Sequence, residues 1–260
     1  MTSPCRSQNP RFFDLVLFDL GQTLIYFDDN WPDVIQESNL EMVRALHEAG
    51  FAIDPEPFSA EYSQRIGVYY SERNTSFVEY TAARVLYDLL HEHGFGDPPM
   101  DTVQRAIDAL HAVEQRYWKL EPDAHETLAR LEAAGYCLGM ISNASDEHDV
   151  QTLVNKHGLR KYFRHVLVSA ALGIRKPHPE IFKQALDYWQ VPAERTVMIG
   201  DTLGADILGA NQAGIASVWI ARRADRPDNR AHLDTIRPDA RIETLAELPD
   251  VLAKWGGKIV

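Results

Sequence analysis

The 260 residues carry a formal net charge of −12, with 45% hydrophobic and 25% charged side chains. That length suits one large domain or a core with an inserted smaller one, and an acidic surface repels phosphate backbones and anionic lipid, so nucleic acid and membranes are excluded as partners. An anionic substrate would need a local positive site, a lysine or a metal. The two cysteines suggest no disulfide framework: Cys5 lies in a polar tail, and Cys137 in an apolar strand reads as a small core residue. No signal-peptide pattern opens the chain and no run reaches membrane-spanning length, so a cytoplasmic protein is expected.

Residues 1–11 read as a loose tail. Leu15, Val16, Leu17 and Phe18 then run straight into Asp19, the pattern of a strand buried on both faces. Asp19 falls at its carboxyl end, where open α/β sheets bind ligands. From 31 to 120 the pattern is helical. A first helix carries the stripe Ile35, Val43 and Leu46 and closes at Gly50. A second covers 58–71, and a third covers 76–93 and stops at Gly94. A fourth starts at Asp101, an N-cap with Gln104 three residues on, and continues to Trp118. Four helices without strands suggest a small bundle.

The α/β pattern resumes at Glu121 and Pro122. A helix over 123–134 leads to a strand over 136–141 that ends in Ser142 and Asn143. Ser145 caps a helix through His157, and 165–168 is a short strand. A loop over 174–179 holds Lys176, and Pro179 opens a helix through Trp189. The strand 196–199 ends at Gly200 and Asp201. A helix over 205–213, a strand over 217–220, a solvated loop over 222–230 and a last helix over 245–255 complete the chain. Strands alternating with helices imply right-handed crossovers and a parallel sheet.

Asp19, Ser142, Lys176 and Asp201 each end a separate strand or loop, so they can converge on one anion. A strand-end carboxylate can accept a phosphoryl group as a nucleophile, provided that charge is neutralised. Mg²⁺ held by one or two carboxylates does this, and a lysine and a hydroxyl assist. Taken singly, each residue has a plainer explanation: Lys176 a solvated loop lysine, Ser142 a turn residue, Asp206 an acid at a helix N-terminus. His91 and His93, two apart on a helix, diverge and make no zinc site. Tyr69, Tyr70, Phe77, Tyr80 and Tyr117 read as packing within the bundle rather than as a substrate face.

Taken together the motifs resemble the haloacid dehalogenase superfamily, which is mostly phosphohydrolases. Phe18-Asp19-Leu20-Gly21-Gln22-Thr23-Leu24 matches its first motif and Met140-Ile141-Ser142-Asn143 its second. Arg175-Lys176-Pro177 matches the third, and Gly200-Asp201 with Asp206 the fourth. The resemblance implies a Rossmann-like sheet ordered 3-2-1-4-5, a core of residues 12–30 and 121–260, and a helical cap over 31–120. It implies Asp19 as nucleophile and metal ligand. Ser142 and the Asn143 backbone amide would hold the phosphoryl group, with Thr23 on the substrate side as a local backbone-bonding residue. Lys176 would neutralise charge. Mg²⁺ would be bound by Asp19, the Gly21 carbonyl, Asp201 and Asp206. The implied activity is Mg²⁺-dependent hydrolysis of a small phosphorylated metabolite through an aspartyl-phosphate.

Gly21 departs from the family's phosphatases, which usually carry a second aspartate there as general acid and base. Such catalysis typically contributes ~10²–10⁴-fold. Two rival readings follow: a weak or inactive binding protein, and a 2-haloacid dehalogenase. The family's dehalogenases usually have an aromatic residue at the Gly21 place and need no metal. Substrate identity and oligomeric state are not legible in the sequence.

Overall fold

In the computed structural model, which describes residues 12–256, the first strand is β1 (Leu15–Phe18), buried at all four positions. The tail expected over 1–11, with Cys5, lies outside the described residues. The chain continues through β2 (Ile25–Phe27), α1 (Trp31–Glu48), α2 (Pro55–Ser76), α3 (Ala82–Leu90), α4 (Met100–Glu114) and β3 (Trp118–Leu120). Next come α5 (Ala124–Ala133), β4 (Cys137–Ser142), α6 (Glu147–Lys156), β5 (Val166–Val168), α7 (Ser169–Leu172) and α8 (Pro179–Trp189). The last elements are β6 (Thr196–Gly200), α9 (Leu208–Gln212), β7 (Ala216–Ile220), α10 (Pro227–Arg230), β8 (Ala240–Ile242) and α11 (Leu248–Gly256).

Six strands form one parallel sheet in the order β5-β4-β1-β6-β7-β8. Counted along the core strands this is the expected 3-2-1-4-5, extended by β8 at one edge. Three residues, Ala240, Arg241 and Ile242, are too few to show a period, so β8 was not legible. Alternate residues of β1 enter different apolar clusters. Leu15 and Leu17 pack with Ile181, Phe182 and Met198, while Val16 and Phe18 pack with Leu128, Val154 and Phe163. Helices thus cover both faces, which is why β1 reads as an unbroken apolar run. The sheet brings Asp19, Ser142 and Asp201 to the carboxyl ends of three adjacent strands. No described helix is long and apolar enough to cross a membrane.

Helices α1 to α4 stand between β2 and β3 and pack around their own cluster, which includes Met42, Leu46, Leu86, Leu90 and Ile107. Strands β2 and β3 pair antiparallel, with Phe27 opposite Trp118, so the chain leaves and re-enters the core through a two-stranded ribbon. That pairing ends α4 at Glu114 and makes Trp118 a strand residue, not the end of a helix. The buried face of α1 is Val34, Ser38, Asn39, Met42, Val43 and Leu46, without Ile35.

The third helix begins at Ala82 rather than 76, because residues 77–81 dock on the core. Phe77 turns left-handed at φ 55 to end α2. Val78 then bridges Ile174, the Glu79 N–H donates to the Gly173 carbonyl, and the Arg175 N–H donates to the Phe77 carbonyl. Two caps also differ from expectation. Helix α4 starts at Met100, so Asp101 is inside its first turn. Asp146, not Ser145, caps α6 by accepting from the Asp149 N–H at 2.8 Å. Aspartate has the stronger acceptor, and helix N-termini favour it.

Residues 222–230 are not a solvated loop. Arg222 donates to Glu121 at 2.6 Å and to Asp123 at 2.8 and 2.9 Å, and Arg223 pairs with Glu121 while lying 3.6 Å over the Tyr26 ring. A buried Glu121 demands such partners. Cys137 is partly buried and packs against the apolar cluster around Leu15 and Leu17, as a small core residue does.

Polar contacts join α4 to α6. Gln104 donates to Asp146 and Gln115 to Asp149, both at 2.8 Å, and His111 Nδ1 lies 3.0 Å from Glu114 Oε2 and 4.0 Å from Asp149 Oδ2. Burial pushes the His111 ring down, but Glu114, Asp149 and Asp146 overcome this and raise it to about 9. Asp149 itself is pushed up by burial despite the facing imidazolium. Raised above its ordinary 6.5, His111 stabilises the fold fully below 6.5, less between 6.5 and 9, and not at all above 9. We expect this ring to take about 3 kcal/mol from the unfolding free energy between pH 6.5 and 9.5. Urea denaturation at both pH values should show that loss in the wild type and a smaller one in His111→Gln.

Candidate active site

β1 delivers Asp19, whose N–H donates to the Ile199 carbonyl at 2.9 Å and so fixes the strand end against β6. Lys176 reaches it from the loop before α8. Its Nζ lies 2.7 Å from each of Asp19 Oδ1, Asp206 Oδ1 and the Ile141 carbonyl. A fully buried ammonium thus has three acceptors, as burial of charge requires. Asn143 holds the Lys176 backbone in place: its Oδ1 accepts from the Lys176 N–H at 2.8 Å and its Nδ2 donates to the Lys176 carbonyl at 2.9 Å.

Asp201 follows β6, and Asp206 sits on the π-helical turn Leu203–Ile207 that precedes α9. Asp206 Oδ2 accepts from the Thr202 N–H at 2.9 Å. Gly200 permits this arrangement, because a Cβ at that position would overlap the Asp206 carboxylate. Asp19, Asp201 and Asp206 each offer one oxygen, all within 4.8 Å of one another, and all three residues are buried. Burial pushes Asp19 up to about 6 against the pull of Lys176, and pushes Asp201 up to about 8 against the pull of Arg226. Three crowded acidic oxygens, two of them on carboxylates whose anions burial penalises, are the donor set that a hard divalent cation favours. The residues therefore fit Mg²⁺.

These groups line one cavity of about 470 Å³ together with Gly21, Ser142, Asn143 and Lys176. Thr23 is fully buried and does not line this cavity; its hydroxyl donates to Asp201 Oδ1 at 3.4 Å and so braces an acid. Gly21 faces the Trp118 ring: a Cβ on it would lie 3.5 Å from Trp118 Cη2.

Several residues in the cavity or behind it were not foreseen as site groups. Arg226 donates to Asp201 Oδ2 and, at 3.0 Å, to the Thr202 hydroxyl, and Asn229 donates to the Asp201 carbonyl at 2.8 Å. Nothing in a polar stretch distinguishes these from solvated residues. Tyr70, Arg73 and Trp118 also line the cavity, so Tyr70 is not bundle packing. Tyr69 is buried against Glu79, as packing predicts, whereas Tyr80 is exposed and Tyr117 donates to Glu37.

The family described as haloacid dehalogenase-like hydrolase matches residues 13–214. The chain is 32% identical to a glyceraldehyde 3-phosphate phosphatase of Methanopyrus kandleri over 241 residues, 91% of this chain and 96% of the other. It is 30% identical to a ribulose-1,5-bisphosphate 5-phosphatase of Halopiger xanaduensis, covering 92% of this chain and 98% of that one. Among solved structures it is similar to a 2-haloacid dehalogenase from Pseudomonas syringae, at 29% identity and a TM-score of 0.65 over 93% of this chain and 98% of the other.

Proposed function

The chain belongs to the haloacid dehalogenase-like hydrolases, and from that premise we propose that it is a Mg²⁺-dependent phosphatase of small phosphorylated metabolites. The observation that carries this reading is the meeting of three buried acids and a buried lysine at the strand ends, with Lys176 Nζ 2.7 Å from both Asp19 and Asp206. The phosphatases named among its relatives point the same way.

Asp19, Asp201, Asp206 and the Gly21 carbonyl would hold the ion, which when bound offsets the negative charge of carboxylate and phosphoryl oxygens. An Asp19 carboxylate oxygen attacks phosphorus. The bond from phosphorus to the ester oxygen breaks, its electron pair leaves with that oxygen, and the phosphoryl group stays on Asp19. Water then cleaves the aspartyl-phosphate. Lys176, fixed by Asn143, stabilises charge in both steps. The Ser142 hydroxyl and the Asn143 backbone amide hold phosphoryl oxygens. Asp19 reacts as the anion, and a carboxyl set at about 6 is mostly ionised at neutral pH. Helices α1 to α4 are read as a cap over 31–120 that closes on the substrate.

Phosphate release from p-nitrophenyl phosphate should vanish in EDTA and return with Mg²⁺. Asp201→Ala should raise the Mg²⁺ concentration for half-maximal rate by ~10-fold or more, since one of very few protein ligands is lost. Full turnover in chelator would sink the reading. The dehalogenase alternative draws on two observations, the similarity to a 2-haloacid dehalogenase and the Trp118 ring against Gly21, where the family's dehalogenases carry an aromatic residue. Halide release from a 2-haloacid without metal would favour it.

A further inference from the structure

Beside Lys176 the cavity has a second positive corner that phosphoryl transfer does not use. Arg73, in the last turn of α2, and Arg175, next to Lys176, both line it with Asp19 and Ser142. They share one carboxylate. Arg73 Nη1 donates to Glu79 Oε1 at 3.2 Å, and Arg175 Nη1 lies 3.3 Å from Glu79 Oε2. Glu79 is buried and also accepts from the Tyr69 hydroxyl and, at 2.7 Å, from Ser169.

Two guanidinium groups against one carboxylate leave a positive charge unmatched among these groups. The Arg175 side chain is 10% exposed. A buried positive charge without a full counter-charge is costly, and an anion entering the cavity would offset it. The Arg73 guanidinium is also held over the Tyr70 ring, Cζ 3.6 Å from its centroid, so its plane is set before any ligand arrives. Planar guanidinium groups suit carboxylate and phosphoryl oxygens. Lys176 cannot take this role, because Asp19, Asp206 and the Ile141 carbonyl already engage it.

We propose that Arg73 and Arg175 bind a second anionic group of the substrate, a carboxylate or a further phosphoryl group, away from the phosphoryl group that is cleaved. The inference rests on the phosphatase reading and narrows it to small phosphorylated acids or bisphosphates, which a cavity of about 470 Å³ accommodates.

Matched substrates test it by phosphate release. One pair is 3-phosphoglycerate against glycerol 3-phosphate, and the other is 1,3-propanediol bisphosphate against its monophosphate. The reaction control is p-nitrophenyl phosphate. In at least one pair the dianionic member should show a kcat/KM ~10-fold or more above its partner, mostly through KM, because a site built to bond a group rejects analogues lacking it. The pair with the larger ratio names the anion. That ratio should fall toward one in Arg73→Gln and in Arg175→Gln. If Arg175→Gln does not fold, the wild-type ratio and Arg73→Gln decide. Equal kcat/KM within both pairs, with p-nitrophenyl phosphate turned over, would overturn the subsite and leave the phosphatase reading standing. No release from any compound would overturn the phosphatase reading and the substrate subsite with it.

Discussion

Asp19→Asn is expected to lower kcat/KM by ~10⁴-fold or more, the scale on which losing a nucleophile is felt, and to melt no lower than the wild type. The two expectations have one origin. Asp19 is buried beside Asp206, and burial raises its pKa to about 6, so its charged form is penalised in the folded protein. Asparagine removes that penalty and keeps the shape. Lys176 loses one acceptor but retains Asp206 Oδ1 and the Ile141 carbonyl, both at 2.7 Å. A group kept at a stability cost, and not needed to satisfy its neighbour, is there for chemistry. Phosphate release and a melting curve on the same preparation check both halves. Wild-type turnover in the purified variant would remove Asp19 from the mechanism. A large fall in melting temperature would mean that the carboxylate is structural.

The strands were legible because burial on both faces leaves an unbroken apolar run, and each run ended at a chemical residue. Asp19, Ser142 and Asp201 were found this way, Lys176 and Asp206 through the order of the motifs, and all five line one cavity. What stayed hidden depends on contacts between segments far apart in the chain. Residues 77–81 look helical until Val78 and Glu79 pair with the loop before Lys176. Trp118 looks like the end of a helix until it pairs with Phe27. Arg226 looks solvated until the fold places it on Asp201. Arg175 stood in plain view next to Lys176, but only Glu79 and Arg73, from elsewhere in the chain, reveal what its charge faces. Local pattern reports which face of an element is buried, and not which partner covers it.

Gly21→Asp should raise kcat/KM for alkyl phosphates by ~10²–10⁴-fold, the usual contribution of a general acid, and barely change it for aryl phosphates. An alkoxide is a poor leaving group without a proton, whereas a phenolate leaves unaided. The backbone permits the substitution. Gly21 is not among the left-handed residues, although its neighbour Gln22 is, at φ 60. A Cβ at Gly21 would meet only Trp118, at ordinary contact distances of 3.5 and 3.8 Å. The new carboxyl group would stand beside the Trp118 ring at the edge of the same cavity that holds Asp19. That apolar surface should favour its protonated form, which is the form an acid catalyst needs. The measurement is kcat/KM over a leaving-group series in both proteins, after equal melting temperatures are established. In the wild type the rate should fall steeply as the leaving group becomes more basic, and in the variant the slope should flatten. A uniform gain across the series would mean better binding of metal or substrate. A wild-type slope that is already shallow would mean that another group supplies the proton, and Asp28 and Asp29, just after β2, would be the first to replace.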